Sequence, residues 1–482
     1  MPLSRTLPAL RAHFDARRAL RRARTQFQAA QEAALAPLIA ALARTEFGHA
    51  HGLVPSLTYE EFRRTVAPTC ATQLSPWFDR AAAGQPDQLW PGPSQEVIAW
   101  TSGPGPGERI QLTPALRAHL AAGLVQALHL AGGRAWGRNA RGPTVFVASK
   151  PTPEGSLNAL RQVAPGWLRP VQPGPDDQLG GSVNYGSGTA IGTWATLLGA
   201  PPCSPEARPR RVLVAGGAVG LFGRELKQRY GSSVDLCGLH APAGTLLACQ
   251  DNPEDEGMLV LSTSGVFVEF VPLTELHEDR LSACGTKALP LHEVRTGVDY
   301  VPLITSPGGL CRFVQEEVVR FVSTRPPRLV LRGSRGSALT LSGVQVAQAD
   351  LWAALSLVCT RHEWDIVHVH VAPLTTESLI GHRRARHEWW IELRPETEET
   401  PTGPLLSAEL DRELVNSNSS YRSARQAGLL DAPVVRLVMP GVFAACCDQS
   451  PELRNTPRLV SSRNDRAVAE GLTRIARFAK DQ

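Results

Sequence analysis

The 482-residue chain has few lysines, no long apolar run and no C-x-x-C cysteine pair. Lys150, Lys227, Lys287 and Lys480 are its only lysines, so arginine supplies nearly all of the positive charge. No apolar run approaches the roughly 18 residues that a membrane-spanning helix needs, so the sequence predicts no transmembrane segment. No repeat recurs at a fixed period, which argues against a solenoid or propeller.

Cysteine spacing and net charge argue against a protein stabilised by disulfides and against a nucleic-acid-binding protein. The nine cysteines are an odd number without C-x-x-C spacing, although Cys446 and Cys447 are adjacent. This pattern is typical of thiols in a reducing compartment and predicts a cytoplasmic protein. The net charge of +5 is mild, and no dense basic run is interleaved with aromatic residues. We therefore expect no nucleic-acid partner.

The N-terminal segment, residues 10–24, is rich in arginine and has Asp15 as its only acid. A transit peptide or a membrane-surface helix has this composition. The helical pattern continues past Gln31 towards Leu42, which favours a solvated first helix instead. Pro37 is expected to kink or divide this helix, because proline lacks an N–H group.

The order of apolar segments predicts an α/β fold of two domains, assigned to residues 1–340 and 341–482. Strands are expected at residues 97–100, 143–149, 211–215, 266–271 and 300–305 of the larger N-terminal domain. Residues 151–209 are rich in proline and glycine, which predicts mostly loops around one helix at 190–198. After Gly343 the order helix, strand, strand, helix, strand indicates a smaller α+β domain.

A glycine–proline loop, residues 101–109, has the composition of a phosphate-binding loop. Its hydroxyl groups and glycine N–H groups can face phosphate oxygens, and an arginine ends it. Pro104 and Pro106 offer no N–H group, so the loop has fewer donors than its outline suggests. The candidate phosphate-binding residues in the loop are Thr101, Ser102, Gly103, Gly105, Gly107 and Arg109.

Two other patterns are weaker. Gly216 and Gly217 follow a predicted strand, but the G-x-G-x-x-G spacing of a dinucleotide site is not met, and a plain strand-to-helix turn fits equally well. His368 and His370 alternate along a strand, with His387 nearby in sequence. Alternation places both on one face of a sheet, so we favour a polar sheet face over metal ligation.

Several collinear blocks resemble the Gretchen Hagen family of acyl-acid-amido synthetases, which belongs to the adenylate-forming superfamily. The glycine–proline loop is similar to the family's Thr-Ser-Gly-Thr-Thr-Gly-x-x-Lys loop, and residues 309–319 resemble its Gly-Leu-Tyr-Arg-Tyr-Arg-x-Gly-Asp-x-Val block. Leu410, Asp411, Leu414, Asn418, Tyr421, Arg425 and Gly428 match a C-terminal family pattern in full. The resemblance spans residues 27–472 and implies a large adenylate-forming-type α/β domain followed by a smaller C-terminal α+β domain.

The family adenylates a carboxylic acid with ATP and magnesium, then transfers the acyl group to an amine. The resemblance therefore implies ATP and Mg as cofactors, and a small carboxylic acid and an amino acid as partners. It also adds Gly216, Gly217, His240 and Glu317 to the nucleotide-binding candidates, because similar segments line the family's nucleotide pocket. Glu317 corresponds to the ribose-binding aspartate.

Key family positions are replaced in this chain. The magnesium-binding carboxylate corresponds to Ala243, and the catalytic lysine corresponds to Asn455. Losing one donor aimed at transition-state charge costs about 10²–10³ in rate, so we expect weak or absent adenylation and assign no catalytic or metal-binding residue. Two alternatives stay open: a non-catalytic binding or scaffold protein on the same fold, and an active ligase that uses substitute residues.

Overall fold

The computed structural model describes residues 3–100, 108–132, 144–149, 183–188, 211–215, 223–224, 227–228, 231–251, 257–261, 265–277, 280–377, 383–394, 401–450, 453 and 460–478. These residues form two compact units. The first ends at Leu331, and the second contains residues 223–224 and 227–228 together with everything described from Arg332 onward. The domain assignment made from the sequence, with a boundary after residue 340, stays a prediction.

The first unit begins with helices α1 (Leu3–Thr25) and α2 (Phe27–Leu42). The backbone leaves the helical region at Gln26, where φ is −135°. Pro37 lies inside α2, so of the two expectations, a kink or a division at Pro37, the division is wrong, and the helical segment is interrupted at Gln26 instead. Within the described residues, no helix is both long enough and apolar enough to cross a membrane.

Five further α-helices are described in the first unit, and threonine side chains cap the first, second and fourth of them. They are α3 (Glu46–Ala50), α4 (Tyr59–Thr65), α5 (Ala71–Ala82), α6 (Pro114–Gly132) and α7 (Leu281–Cys284). Thr58 and Glu61 form a capping box at α4. Thr113 accepts a hydrogen bond from Leu116 N at 3.0 Å and so caps α6, with proline at the first helical position.

A two-stranded hairpin and a large mixed sheet complete the first unit. The hairpin pairs β1 (Val97–Trp100) with β2 (Glu108–Gln111), so these strands flank the glycine–proline loop. The sheet strands are β3 (Thr144–Ser149), β4 (Val183–Gly188), β5 (Arg211–Ala215), β6 (Asp235–His240), β7 (Ala248–Cys249), β8 (Met258–Val260), β9 (Phe267–Pro272), β10 (Leu289–Pro290), β11 (Asp299–Ser306), β12 (Leu310–Val314), β13 (Glu317–Thr324) and β14 (Pro327–Ser334).

Among the described residues this sheet has 12 strands in the order β10-β9-β11-β13-β14-β8-β7-β6-β5-β3-β4, with β12 paired to β11. Strands β3 to β6 pair in parallel, whereas the pairs from β6 to β8 and from β9 to β13 are antiparallel. Strand β4 is an element that the sequence did not predict within residues 151–209, where mostly loops around one helix were expected. Its sequence contains Gly186 and Gly188, which have low strand propensity, and its strand character comes from pairing with β3. The helix expected at residues 190–198 lies outside the described residues.

The second unit contains a four-stranded sheet with helices on both faces and a separate two-stranded hairpin. Its strands are β15 (Leu339–Leu341), β16 (Val344–Val346), β17 (Ile366–Glu377), β18 (Arg383–Leu393), β19 (Val434–Leu437) and β20 (Val460–Ser462). Its helices are α8 (Gln348–His362), α9 (Gly403–Ser417), α10 (Ser419–Gln426), α11 (Val442–Gln449) and α12 (Ala467–Phe478). The sheet order is β19-β18-β17-β20, and β15 and β16 form a separate hairpin.

Two adjacent tryptophans of β18 show how both sheet faces are buried. Trp389 belongs to the apolar cluster formed with α8, α9 and α10, and Trp390 belongs to the cluster formed with α11 and α12. Successive side chains of a strand point to opposite faces, so one strand supplies both cores. The prediction of an α/β fold with a smaller α+β part towards the C terminus is confirmed.

Candidate functional site

The segment after β6 forms a tight turn against β2. Ala243 and Gly244 both have left-handed backbone conformations, with φ of 45° and 70°. The hydroxyl of Thr245 donates a hydrogen bond to Pro242 O at 2.6 Å and closes the turn. A Cβ atom at Gly244 would lie 2.3 Å from Ile110 Cδ1, so any other residue there would require the Ile110 side chain to move.

Glu108, the first residue of β2, fixes this turn. Ala243 N donates a hydrogen bond to Glu108 Oε2 at 2.9 Å. The two residues are 135 positions apart, and Ala243 is 1% exposed. A carboxylate from the end of the glycine–proline loop is therefore held at the position where the resemblance places a magnesium-binding side chain.

The residues around Ala243 do not fit a magnesium ion. Magnesium takes near-octahedral oxygen coordination, usually with one or two carboxylates and several waters. Ala243 offers only a methyl group, and an oxygen of Glu108 is engaged by the backbone amide. Within the described ranges, no three His, Cys, Asp or Glu side chains lie close enough together to hold a metal ion.

Arg109 points away from this turn and packs on α5. Its Nη1 lies 2.5 Å from Asp79 Oδ1 and 3.4 Å from Ser75 Oγ. The guanidinium carbon lies 5.5 Å from the centroid of the Phe78 ring, which adds a cation–π contact. The predicted phosphate-binding cation is therefore already paired with a carboxylate.

The structure brings together two other predicted nucleotide-binding residues, His240 and Glu317. His240 ends β6 and is 1% exposed, and its Nδ1 lies 3.6 Å from Glu317 Oε2 at the start of β13. That separation is too long for a hydrogen bond, and among the described residues neither ring nitrogen of His240 has a hydrogen-bond partner. Burial lowers the pKa of His240 to about 3, so its imidazole is neutral near pH 7.

Eight residues considered for the site lie outside the described residues: Thr101, Ser102, Gly103, Gly105, Gly107, Gly216, Gly217 and Asn455. The hairpin pairing of Trp100 with Glu108 nevertheless fixes the two ends of the glycine–proline loop side by side.

Sequence reasoning missed Glu108 and Asp79 as parts of the site. The sequence pointed to Glu108 only as an acid next to Arg109, the predicted phosphate-binding cation. An acid is an unusual neighbour for a polyphosphate. Asp79 gave no signal, because it lies on a helix 30 positions before Arg109.

The C-terminal family block forms a structural network in the second unit. Tyr421 donates a hydrogen bond from its hydroxyl to Asp411 at 2.7 Å, and Arg425 binds both carboxylate oxygens of Asp411 at 2.8 Å. Asn418 caps α10 by accepting from Tyr421 N, and its amide donates to Asp350 at 2.9 Å. These contacts join α8, α9 and α10, as expected for residues with a packing role.

The histidines of β17 and β18 contact side chains of the protein. His368 stacks on Phe443 with a centroid distance of 5.0 Å and an interplanar angle of 8°. His370 Nδ1 lies 2.9 Å from Ser461 Oγ. His387 faces the ring of Tyr421 at 5.5 Å. Burial lowers the pKa of both His370 and His387 to about 4.

Three parts of the chain match one protein family. The models of the GH3 family N-terminal, central and C-terminal domains match residues 16–132, 259–333 and 350–460. A structure of the GH3.15 acyl acid amido synthetase in complex with 2,4-DB aligns with a TM-score of 0.65 at 13% identity, over 95% of each chain. A 2-hydroxyisobutyryl-CoA ligase in the postadenylation state aligns with a TM-score of 0.59 at 15% identity, over 95% of this chain and 94% of that one.

These structural likenesses show the fold of an adenylate-forming ligase, and a search of curated proteins gives no match. The three family models follow one another in the family's own order and together match more than half of the chain, which therefore belongs to the GH3 family.

Proposed function

We propose that the protein is a divergent homologue of the ATP-dependent acyl-acid-amido synthetases in which carboxylate adenylation is weak or absent. One observation carries this proposal: both charged residues at the end of the glycine–proline loop are bonded to the protein itself. Glu108 accepts from Ala243 N, and Arg109 pairs with Asp79. Neither the amide nor the cation is free to meet a phosphate.

Electrostatics support the same conclusion. Two carboxylates, Glu108 and Asp79, lie beside the loop that a polyphosphate would have to approach. Like charges at contact distance oppose binding, most strongly where water is excluded. The residues around Ala243 also do not fit magnesium, whose positive charge would otherwise offset this repulsion.

The ligand class follows from the family. Relatives of this fold include an acyl acid amido synthetase and a CoA ligase, which act on carboxylic acids. We infer that this chain keeps a site for a small carboxylic acid or a nucleotide, that an amino acid is the amine acceptor of any residual activity, and that the protein is cytoplasmic.

ATP–pyrophosphate exchange tests the proposal directly. We expect no exchange above background with aryl or fatty acids, while an active acyl acid amido synthetase run in parallel gives a clear signal. Isothermal titration with ATP, with and without magnesium, measures binding separately. Robust exchange with any of these acids would overturn the proposal, and an absence of ATP binding would favour a non-catalytic scaffold.

An active ligase with substitute residues is the second candidate, and the same carboxylate favours it. Glu108 reaches the Ala243 position and could supply there the negative oxygen that residue 243 lacks. The substitution Glu108→Gln separates the two functions, because it removes the charge and keeps a hydrogen-bond acceptor. If Glu108 blocks the site, the variant binds ATP more tightly without exchange. If Glu108 is a substitute, exchange is present in the native protein and lost in the variant.

Glu96→Gln is the matched control for this substitution. Glu96 is a half-exposed acid that pairs with Arg117 at 3.4 Å, next to the β1–β2 hairpin. Its loss changes the net charge equally without touching the Ala243 turn. Equal effects of the two variants would mean that only the overall charge matters.

A further inference from the structure

The outer face of α1 carries a stripe of exposed cationic side chains. Arg17, Arg18, Arg21 and Arg22 are all exposed, and in the described part of the chain none of them has an ion-pair partner. They differ in this from Arg24, which pairs with Asp251 at 2.8 Å. Unpaired arginines on one helix leave a local positive field that the mild net charge of the chain does not reveal.

The opposite face of α1 is fixed to the protein. Ala16, Leu20 and Ala23 are at most 4% exposed, and α1 packs against α6 and α2. Positions three and four apart share a face of a helix, so these three residues oppose Arg17, Arg18 and Arg21. The arginine stripe is therefore held outward on a docked helix.

Phe14 distinguishes this face from an ordinary solvated one. Its side chain is 60% exposed, and it lies one turn before Arg17 and Arg18 on the same stripe. A large exposed aromatic residue next to arginines is the combination that enters a lipid headgroup region, where the ring meets the acyl boundary and the cations meet phosphates.

We propose that this face of α1, formed by Phe14, Arg17, Arg18, Arg21 and Arg22, binds the surface of anionic lipid membranes. A single docked helix presents a narrow stripe about 12 Å long, at 1.5 Å per residue, which can lie along a flat bilayer. Proteins that bind single-stranded nucleic acid without sequence preference combine a basic groove with several stacking rings, whereas the five residues of this face include one ring.

The affinity of this face of α1 for anionic membranes should be modest, and most of it should come from electrostatic attraction. An arginine near an anionic surface contributes about a fivefold gain in binding, so three of them contribute roughly a hundredfold. The field is screened by salt, because the Debye length falls from about 10 Å at 0.1 M to about 3 Å at 1 M.

Vesicle co-sedimentation of the full chain tests the proposal. We expect binding to vesicles of phosphatidylcholine with phosphatidylserine, little binding to pure phosphatidylcholine, and much weaker binding at high salt. The triple variant Arg17→Gln/Arg18→Gln/Arg21→Gln should lose roughly a hundredfold in affinity. Phe14→Ala should remove the part of the binding that survives high salt, because an apolar contact is not screened.

A second triple variant controls for net charge. Arg44, Arg64 and Arg295 are also exposed, and changing all three to glutamine removes the same charge from other parts of the surface. This variant should bind vesicles like the native protein. Near-UV circular dichroism checks that both variants are folded.

Three results would overturn the proposal: equal binding to neutral and anionic vesicles, equal losses in the two triple variants, or no vesicle binding. Gel-shift titration with a mixed-sequence RNA and a DNA duplex is the parallel measurement. Tight RNA or DNA binding that requires Arg17, Arg18 and Arg21, without vesicle binding, would assign the face to nucleic acid instead.

Discussion

Arg312 and Glu269 form an ion pair in which both side chains are fully buried. Nε and Nη2 of Arg312 donate to the two carboxylate oxygens of Glu269 at 2.9 and 2.8 Å. The other three N–H groups of Arg312 donate to the carbonyl oxygens of Arg63, Val66 and Gly285. All five donors of the guanidinium are therefore satisfied. The pair ties the end of α4 to strands β9 and β12.

Removing one partner of this pair should be costly. We expect Arg312→Met or Glu269→Gln to lower the free energy of unfolding by about 3–5 kcal/mol, because the remaining charged or polar group stays buried without its partner. Urea denaturation measures the change. Arg320→Met is the control, since Arg320 forms the same two-bond contact with Asp299 near the surface and should cost less than about 1 kcal/mol. Similar losses in both variants would mean that burial does not set the energy of the Arg312 pair.

Local signals in the sequence predicted several strands of the fold. The strands expected at residues 211–215 and 300–305 are runs of apolar residues, and both are confirmed. Helix starts are local too, because Thr58 with Glu61, and Thr113 with Pro114, form their caps within one turn. β4 was missed because its pairing partner, rather than its own residues, makes it a strand.

The site was harder to predict because its contacts join distant parts of the chain. His240 and Glu317 were named by resemblance, and the fold brings their side chains to 3.6 Å although they lie 77 positions apart in sequence. The bond from Ala243 to Glu108 spans 135 positions and involves a backbone amide, which no side-chain pattern can indicate. The expected loss of catalytic groups rests on the resemblance and stays a prediction, whereas the bond from Ala243 to Glu108 is seen only in the structure.

Asp79 should restrain Arg109 from meeting an anion. We expect Asp79→Asn to tighten ATP binding by about three- to tenfold, less than the full value of a charged hydrogen bond, because the Arg109 side chain is 33% exposed. Isothermal titration measures the affinity, and adding Arg109→Gln should abolish the gain. Glu60→Gln, which releases Arg63 on α4, is the control for charge alone. An unchanged affinity in Asp79→Asn would show that Arg109 has a purely structural role.

Buried His240 should make the first unit sensitive to acid. Its folded-state pKa of about 3 lies below the ordinary value of 6.5, so the unfolded chain takes up a proton that the folded chain refuses. The contribution of neutral His240 to the free energy of unfolding is therefore fully present above about pH 6.5. It is lost as the pH falls towards 3, by about 2 kcal/mol between pH 6.5 and 4.5.

Hydrogen exchange of the β6 amides at these two pH values measures the effect, after correction for intrinsic exchange. His240→Leu should reduce the difference in opening free energy by about 2 kcal/mol, because leucine does not titrate. His292→Gln, at an exposed position, is the control and should leave the difference unchanged. An undiminished acid sensitivity in His240→Leu would assign the effect to other groups.

Gly244 is expected to be the least replaceable glycine near the candidate site, for two separable reasons. Its φ of 70° costs an alanine about 1–2 kcal/mol, and a Cβ there would also meet Ile110 Cδ1 at 2.3 Å. Gly297 has a similar φ of 78°, and a Cβ atom added there would meet no atom of the described residues within 4 Å, so Gly297→Ala measures the backbone cost alone. Overpacking adds about 1–3 kcal/mol, so Gly244→Ala should be destabilised by that much more than Gly297→Ala in urea denaturation. The double variant Gly244→Ala/Ile110→Val should not recover the backbone part, although it should recover part of the overpacking. Equal stabilities of the two single variants would mean that Ile110 moves aside without cost, and that packing against β2 does not require a glycine at position 244.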